Sequence, residues 1–67
     1  MDNTVLLTPA RFVTVRLAAT LTGLTPKAID RKRERGIWLE GKHWRKVDGN
    51  VLIDMKEYER WVEKATA

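Results

Sequence analysis

His43 is the only histidine among 67 residues, and serine and cysteine are absent altogether. Nucleophilic catalysis of the Ser-His-Asp or Cys-His kind is therefore excluded. So is a metal site built from several histidines or thiolates. The four glycines, at positions 23, 36, 41 and 49, are scattered and form no phosphate-cradling loop. Paired carboxylates remain, but a chain of this length leaves little room for a substrate cleft. Neither an enzyme nor a cofactor is expected. The chemistry these residues do support is electrostatic. Lys27 to Lys46 holds eight basic and three acidic residues, a net of +5 in a chain whose total is +4. Positive charge gathered in one block points to a polyanion, nucleic acid being the first candidate. A solvated surface is the plain alternative.

The elements around that block can be read from punctuation and periodicity. Thr14 suits an N-cap, Val15 to Thr22 a short first helix, and Gly23 the residue just past its end, where φ > 0 is needed. Val15, Ala18, Ala19 and Thr22 share one face, and the two alanines would let another backbone approach closely. Leu17 and Leu21 form a second row, which is either core filler or a contact patch. Thr25-Pro26 opens a second helix, threonine as cap and proline at the first position, and Gly36 stops it. Two short helices joined by a tight turn make a helix-turn-helix pattern. Ile29, with Ala28 beside it, sets the inward direction of the second helix. Lys27, Asp30, Arg31 and Glu34 then point outward. Lys32 and Arg33 flank the buried side, where their aliphatic stems can cover the core.

Trp44-Arg45-Lys46-Val47 and Val51-Leu52-Ile53 read as two strands around Asp48-Gly49-Asn50, a hairpin signal. A two-residue turn pairs Val47 with Asn50, and a three-residue turn pairs it with Val51. The sequence leaves both open, together with the question of whether Arg45 or Lys46 faces outward. Asp54 is an N-cap with Glu57 three residues on, a capping-box arrangement. Met55, Tyr58, Trp61, Val62 and Ala65 make the apolar face of a last helix. Phe12-Val13 reads only as a brief extended lead-in.

Helix, turn, basic helix, hairpin, helix is a winged helix-turn-helix, an α+β fold. A helix fits the DNA major groove, with a hairpin on the neighbouring phosphates or minor groove. The candidate contacts on the second helix are Thr25, Lys27, Ala28, Asp30, Arg31, Lys32 and Arg35. Those on the wing are Lys42, His43, Arg45, Lys46 and Asn50. Each has a simpler reading. Arg35 could serve the helix dipole, and Arg45 and Lys46 could discourage strand-edge pairing. His43 reads as an exposed loop residue or a phosphate neighbour. Trp38, Trp44 and Trp61 read as core, supplying the apolar area that a small domain needs.

Residues 14–36, from Thr14-Val15 through Ala18-Ala19 and Leu21-Thr22-Gly23-Leu24-Thr25 to Gly36, resemble the opening of the MerR-like winged-helix group. There T-V-x-x-A-A-x-L-T-G-(L/V)-(S/T) precedes a recognition helix ending in glycine. Within that group residues 12–64 are similar to small phage and prophage excisionases. The stretch from Arg33 through Gly36-Ile37-Trp38-Leu39 to Arg45, with Asp48-Gly49-Asn50 and Ile53-Asp54, carries the closer resemblance. The resemblance implies a recombination directionality factor. Such a protein binds attachment-site DNA, often as neighbouring copies, bends it, and directs a tyrosine integrase toward excision without cutting DNA itself. By position, Lys27 and Arg31 match the outward recognition-helix residues, and Arg45 and Lys46 match the wing. Related domains often carry apolar residues where Lys32 and Arg33 stand. A small transcriptional regulator of the same fold is the nearest alternative, and a protein-interaction module, suggested by Leu6, Leu7 and Leu17, is the next.

Length bounds the rest. One domain is expected, at residues 12–65, behind a leader at 1–11. Domains of this size bury only about 60% of their unfolded surface, and no disulfide is available to help. Hydrophobic content of 43% with 33% charged residues suits a folded domain. No stretch approaches the ~20 apolar residues of a membrane span. Met1-Asp2-Asn3 lacks a basic n-region, so the bacterial host cytoplasm is the expected location. No coiled coil follows the domain, so the free chain is expected to be a monomer.

Overall fold

The computed structural model describes residues 10–66; Leu6 and Leu7 lie outside the described residues. Six elements follow one another: β1 (Phe12–Thr14), α1 (Val15–Thr22), α2 (Pro26–Glu34), β2 (Trp44–Val47), β3 (Asn50–Asp54) and α3 (Met55–Thr66). The fold is a small winged helix, with three helices on a three-stranded antiparallel sheet of order β1-β3-β2.

Local chemistry sets the helix ends as the sequence suggests. Thr14 Oγ1 accepts the Leu17 N–H at 3.2 Å, and Thr25 Oγ1 accepts that of Ala28 at 3.0 Å. Gly23 sits at φ +82° and donates its N–H to the Ala19 carbonyl, ending α1. The Thr22 hydroxyl donates to the Ala18 carbonyl and accepts the Leu24 N–H, which stiffens the turn. Ala18 and Ala19 are buried, while Leu17 and Leu21 are 44% and 42% exposed. The second row of α1 is thus open surface rather than core filler.

The hairpin takes the two-residue register, with Val47 opposite Asn50. Asp48 at φ +52° and Gly49 at φ +78° supply the two left-handed residues of a type I′ turn. Side chains alternate along a strand, so Trp44 and Lys46 share the face of Ile53 and Val51. Arg45 and Val47 share the opposite face. Both Arg45 and Lys46 are exposed. The lead-in at Phe12 is more than extended chain: it pairs with β3 as a third strand, Val13 opposite Ile53.

The core gathers on one side of the sheet. Val13, Ala18, Ala19, Ile29, Trp38 and Ile53 are buried, with Val15, Leu24, Trp44, Val51, Met55, Tyr58 and Trp61 packed against them. Trp38 meets Tyr58 and Trp61 edge-on, with centroids 5.9 and 5.5 Å away, a favoured aromatic geometry. Ala65, expected on the apolar face of α3, is exposed: along α3 the core reaches as far as Trp61.

Asp54 is buried, at 1% exposure. Its Oδ1 accepts the N–H groups of Lys56 and Glu57, capping α3. Its carboxylate also takes Nε and Nη2 of Arg11. The capping box does not close, because the Asp54 N–H is donated to the His43 carbonyl at 2.9 Å, and Glu57 pairs with Arg60 instead. Burial pushes the Asp54 carboxyl up. Arg11 and the Glu57 and Lys56 N–H groups outweigh that and hold it below its ordinary value. The stability it contributes is therefore full above pH 3.8, the ordinary value, and lost as pH falls below it. Loss of an N-cap alone costs about 0.5–2 kcal/mol. Asp54→Ala should thus lower the melting temperature clearly at pH 7 and by less near pH 3, where protonation already weakens the junction. An equal loss in thermal melts at both pH values would show that the carboxylate's charge adds nothing.

Candidate nucleic-acid interface

The charges of α2 divide between two faces. On the inner face Ile29 is fully buried. Arg33 lays its guanidinium 4.4 Å from the centroid of the Trp44 ring and pairs with Asp30 at 2.6 Å. Lys32 stands over Trp61 at 5.7 Å. The apolar residues expected at 32 and 33 in related domains are thus replaced by cations packed on tryptophan faces, which covers the rings with stem and charge, although Arg33 Nε is buried without a hydrogen-bond partner among the described residues. Asp30 is engaged in this inner network. On the outer face Lys27, Arg31 and Arg35 are exposed, and no side-chain partner is found for them among the described residues. Spaced four residues apart, they form a ridge about 12 Å long at 1.5 Å rise per residue. Ala28 is half-buried beside the ridge and Glu34 is exposed on its other flank. Thr25 is exposed, with its hydroxyl committed to the cap.

On the hairpin, Arg45, Lys46 and Asn50 are exposed. The Arg45 guanidinium lies 5.7 Å from the Phe12 ring centroid. Arg11 reaches the same ring at 5.2 Å. Arg11, the last residue of the leader by sequence, is therefore joined to both the Asp54 cap and the sheet. The signal that could have found it is a lone cation directly before a strand that pairs with an acidic strand end.

Lys42 and His43 fall elsewhere. Lys42 is exposed but lines a cleft of about 510 Å³ with Glu57, Arg60, Trp61 and Lys64 of α3, away from the α2 ridge. His43 is not an exposed loop residue: it is only 7% exposed. Gly41, at φ +87°, turns the chain so that the ring folds back under its own loop. His43 Nδ1 accepts the Leu39 N–H at 2.9 Å, its own N–H goes to the Leu39 carbonyl, and its ring stacks on Trp38. Burial, then the Lys42 charge, hold its pKa below the ordinary 6.5, with Glu57 and Asp54 opposing weakly. The imidazole is a neutral strut between α2 and the hairpin.

Two short helices, a tight turn and a hairpin wing define a small winged helix-turn-helix, here with Lys27, Arg31 and Arg35 exposed on the outer face of α2. Residues 4–66 match the family model that carries the description "Putative excisionase (DUF1233)", and the chain belongs to that family. Comparison with curated proteins and with solved structures gives no match. Membership places the chain among recombination-related DNA-binding proteins. Among the described residues, no helix is long and apolar enough to cross a membrane.

The His43 strut has a pH signature. A folded-state pKa below the unfolded one means that the unfolded chain takes up the proton first as pH falls. Stability should be full above pH 6.5 and drop as pH falls through the depressed value. His43→Asn, which keeps an acceptor near the Nδ1 position, should flatten that decline in urea melts between pH 7 and 5. An unchanged decline would assign it to other groups.

Proposed function

We propose that this chain is a non-catalytic excisionase that binds attachment-site DNA, bends it, and directs a tyrosine integrase toward excision. The observation that carries the reading is the sorting of charge on α2. Inward cations are engaged by Asp30, Trp44 and Trp61, while Lys27, Arg31 and Arg35 stand exposed with no side-chain partner among the described residues. In this reading α2 enters the major groove with Thr25, Lys27, Ala28 and Arg31 nearest the bases. Arg35 meets phosphate. The wing residues Arg45, Lys46 and Asn50 lie along the adjoining backbone or minor groove. Lys32 and Asp30 act indirectly, by holding α2 on the core. Lys42 and His43 are not assigned to DNA. The free chain is a monomer that loads as neighbouring copies on the site, in the cytoplasm of the bacterial host. Residues 12–65 form the working domain, to which Arg11 adds its side chain.

A gel-shift titration on attachment-region duplex, against random duplex of equal length, tests this. Specific binding through ~4–6 phosphates gives a slope of log affinity on log salt of about −4 to −5. Salt-independent binding would sink the reading. Arg31→Ala should weaken the specific complex by about 1–3 kcal/mol if Arg31 reads a base. An equal loss on every duplex would reduce it to a phosphate contact.

A further inference from the structure

Arg33 carries a penalty at its position. Its side chain is only 20% exposed, and its Nε–H is buried with no hydrogen-bond partner among the described residues. A buried donor without an acceptor subtracts from stability. Methionine, of similar length, would cover the Trp44 ring without that penalty. Stability alone therefore does not account for an arginine here. What the guanidinium adds is direction, because it is planar and rigid and can bind by its edge and its face at once. Its Nη1 is fixed by Asp30 at 2.6 Å, and its Cζ lies 4.4 Å from the centre of the Trp44 ring. A flexible chain would touch the ring without defining that angle.

Trp44 is the first residue of β2, and Arg45 and Lys46 follow it. Its indole is held a second time, by donation of Nε1–H to the Trp38 carbonyl at 3.0 Å. Trp38 is buried just past the end of α2, with its own N–H on the Lys32 carbonyl. Both restraints on the indole therefore start from α2 or from the turn that ends it. At the level of backbone packing, α2 lies on α1 and the hairpin on β1. The contact of Arg33 with Trp44 joins these two halves directly. Side chains alternate along a strand, so the residues after an anchored one take their direction from it. Fixing the Trp44 ring against α2 thus fixes where Arg45 and Lys46 stand relative to Lys27, Arg31 and Arg35.

We infer that Arg33 is a positioning residue for DNA binding, locking the wing to α2 so that both reach one duplex in a single geometry. Arg33 itself faces Asp30 and Trp44 on the inner side of α2 and is not a DNA contact. A helix in the major groove and a wing on the neighbouring backbone must match a fixed groove spacing. Groups already held in that arrangement lose less freedom on binding than groups ordered at the moment of contact. The inference rests on the DNA-binding reading above and adds the residue that joins its two contact surfaces.

The test uses the full chain and a duplex enriched from a randomised pool by the unaltered protein. Two variants separate the plane of the guanidinium from its charge: Arg33→Lys keeps the charge, and Arg33→Met keeps the length. Both should melt close to the unaltered protein, while residual dipolar couplings show the hairpin turned or loosened relative to α2. Both should bind about 5–30-fold more weakly, with a salt slope shallower by about 1–2, the loss of one or two wing phosphates. Arg45→Ala should weaken the unaltered protein but add little in the Arg33→Met background, so that the double variant loses at least about threefold less than the product of the single losses. Losses that multiply to within about twofold mean that the two sites act independently, and they overturn the inference. It is overturned too if Arg33→Lys binds as the unaltered protein does, since charge alone then suffices. A loss of binding that only tracks a lowered melting temperature, with the dipolar couplings unchanged, also overturns it and leaves Arg33 an ordinary core residue. DNA binding stands in all three cases. If the unaltered protein enriches no duplex, the DNA-binding reading falls, and the positioning role with it.

Discussion

The buried carboxylate of Asp54 ties together four parts of this small domain. A lone charge at such a site costs several kcal/mol. Here two guanidinium nitrogens of Arg11 and the N–H groups of Lys56 and Glu57 offset that cost. The same residue donates its own N–H to His43 and stands opposite Phe12 in the sheet. One residue thus sets the end of β3, the start of α3, the place of β1 and the approach to the hairpin. A chain without disulfides and with few fully buried side chains gains specificity from such a polar junction that its thin apolar core cannot supply alone.

From that junction the frame extends to α2. Its position depends on Ile29, on two cations lying over tryptophan rings, and on Trp38 just beyond its end. Cation–π contacts are worth about 0.5–1 kcal/mol where exposed and near 2 where desolvated. Each therefore approaches what a small apolar side chain would contribute at the same place. The outward cations have no such return. Like charges four residues apart destabilise a helix by about 0.2–0.5 kcal/mol per pair. Lys27, Arg31 and Arg35 therefore weaken the free protein slightly, and an anionic partner reverses the sign. Charge that folding does not use is the physical basis for the proposal that places the functional surface there.

Local signals were legible in the sequence where a short-range rule decides the outcome. The Thr14 and Thr25 caps, the Gly23 stop and the place of the hairpin turn, though not its register, each depend on residues within about four positions. The candidate ridge was legible for the same reason, since Ile29 alone sets the orientation of α2. Errors arose where a group had a competing distant partner. Glu57 has the spacing of a capping box, but the N–H it would reach is taken by His43. His43 is polar and sits in a loop, yet Trp38 and the Leu39 N–H draw it inside. The place of Lys42, exposed on the rim of the α3 cleft, likewise depends on packing that its neighbours in sequence do not set.

By itself the sequence determined the order of the helices and the hairpin, the helix limits, the place of the turn and the family, because caps, glycines and periodicity act over one or two turns of chain. Tertiary structure alone decided that Phe12–Thr14 is a strand and that Arg11 completes the Asp54 junction. It also decided that Lys32 and Arg33 face tryptophans and that Ile37 lines a concavity with cations of α2. Each of these joins segments distant along the chain or turned by a left-handed glycine. Their energies depend on burial and orientation, which no local pattern encodes.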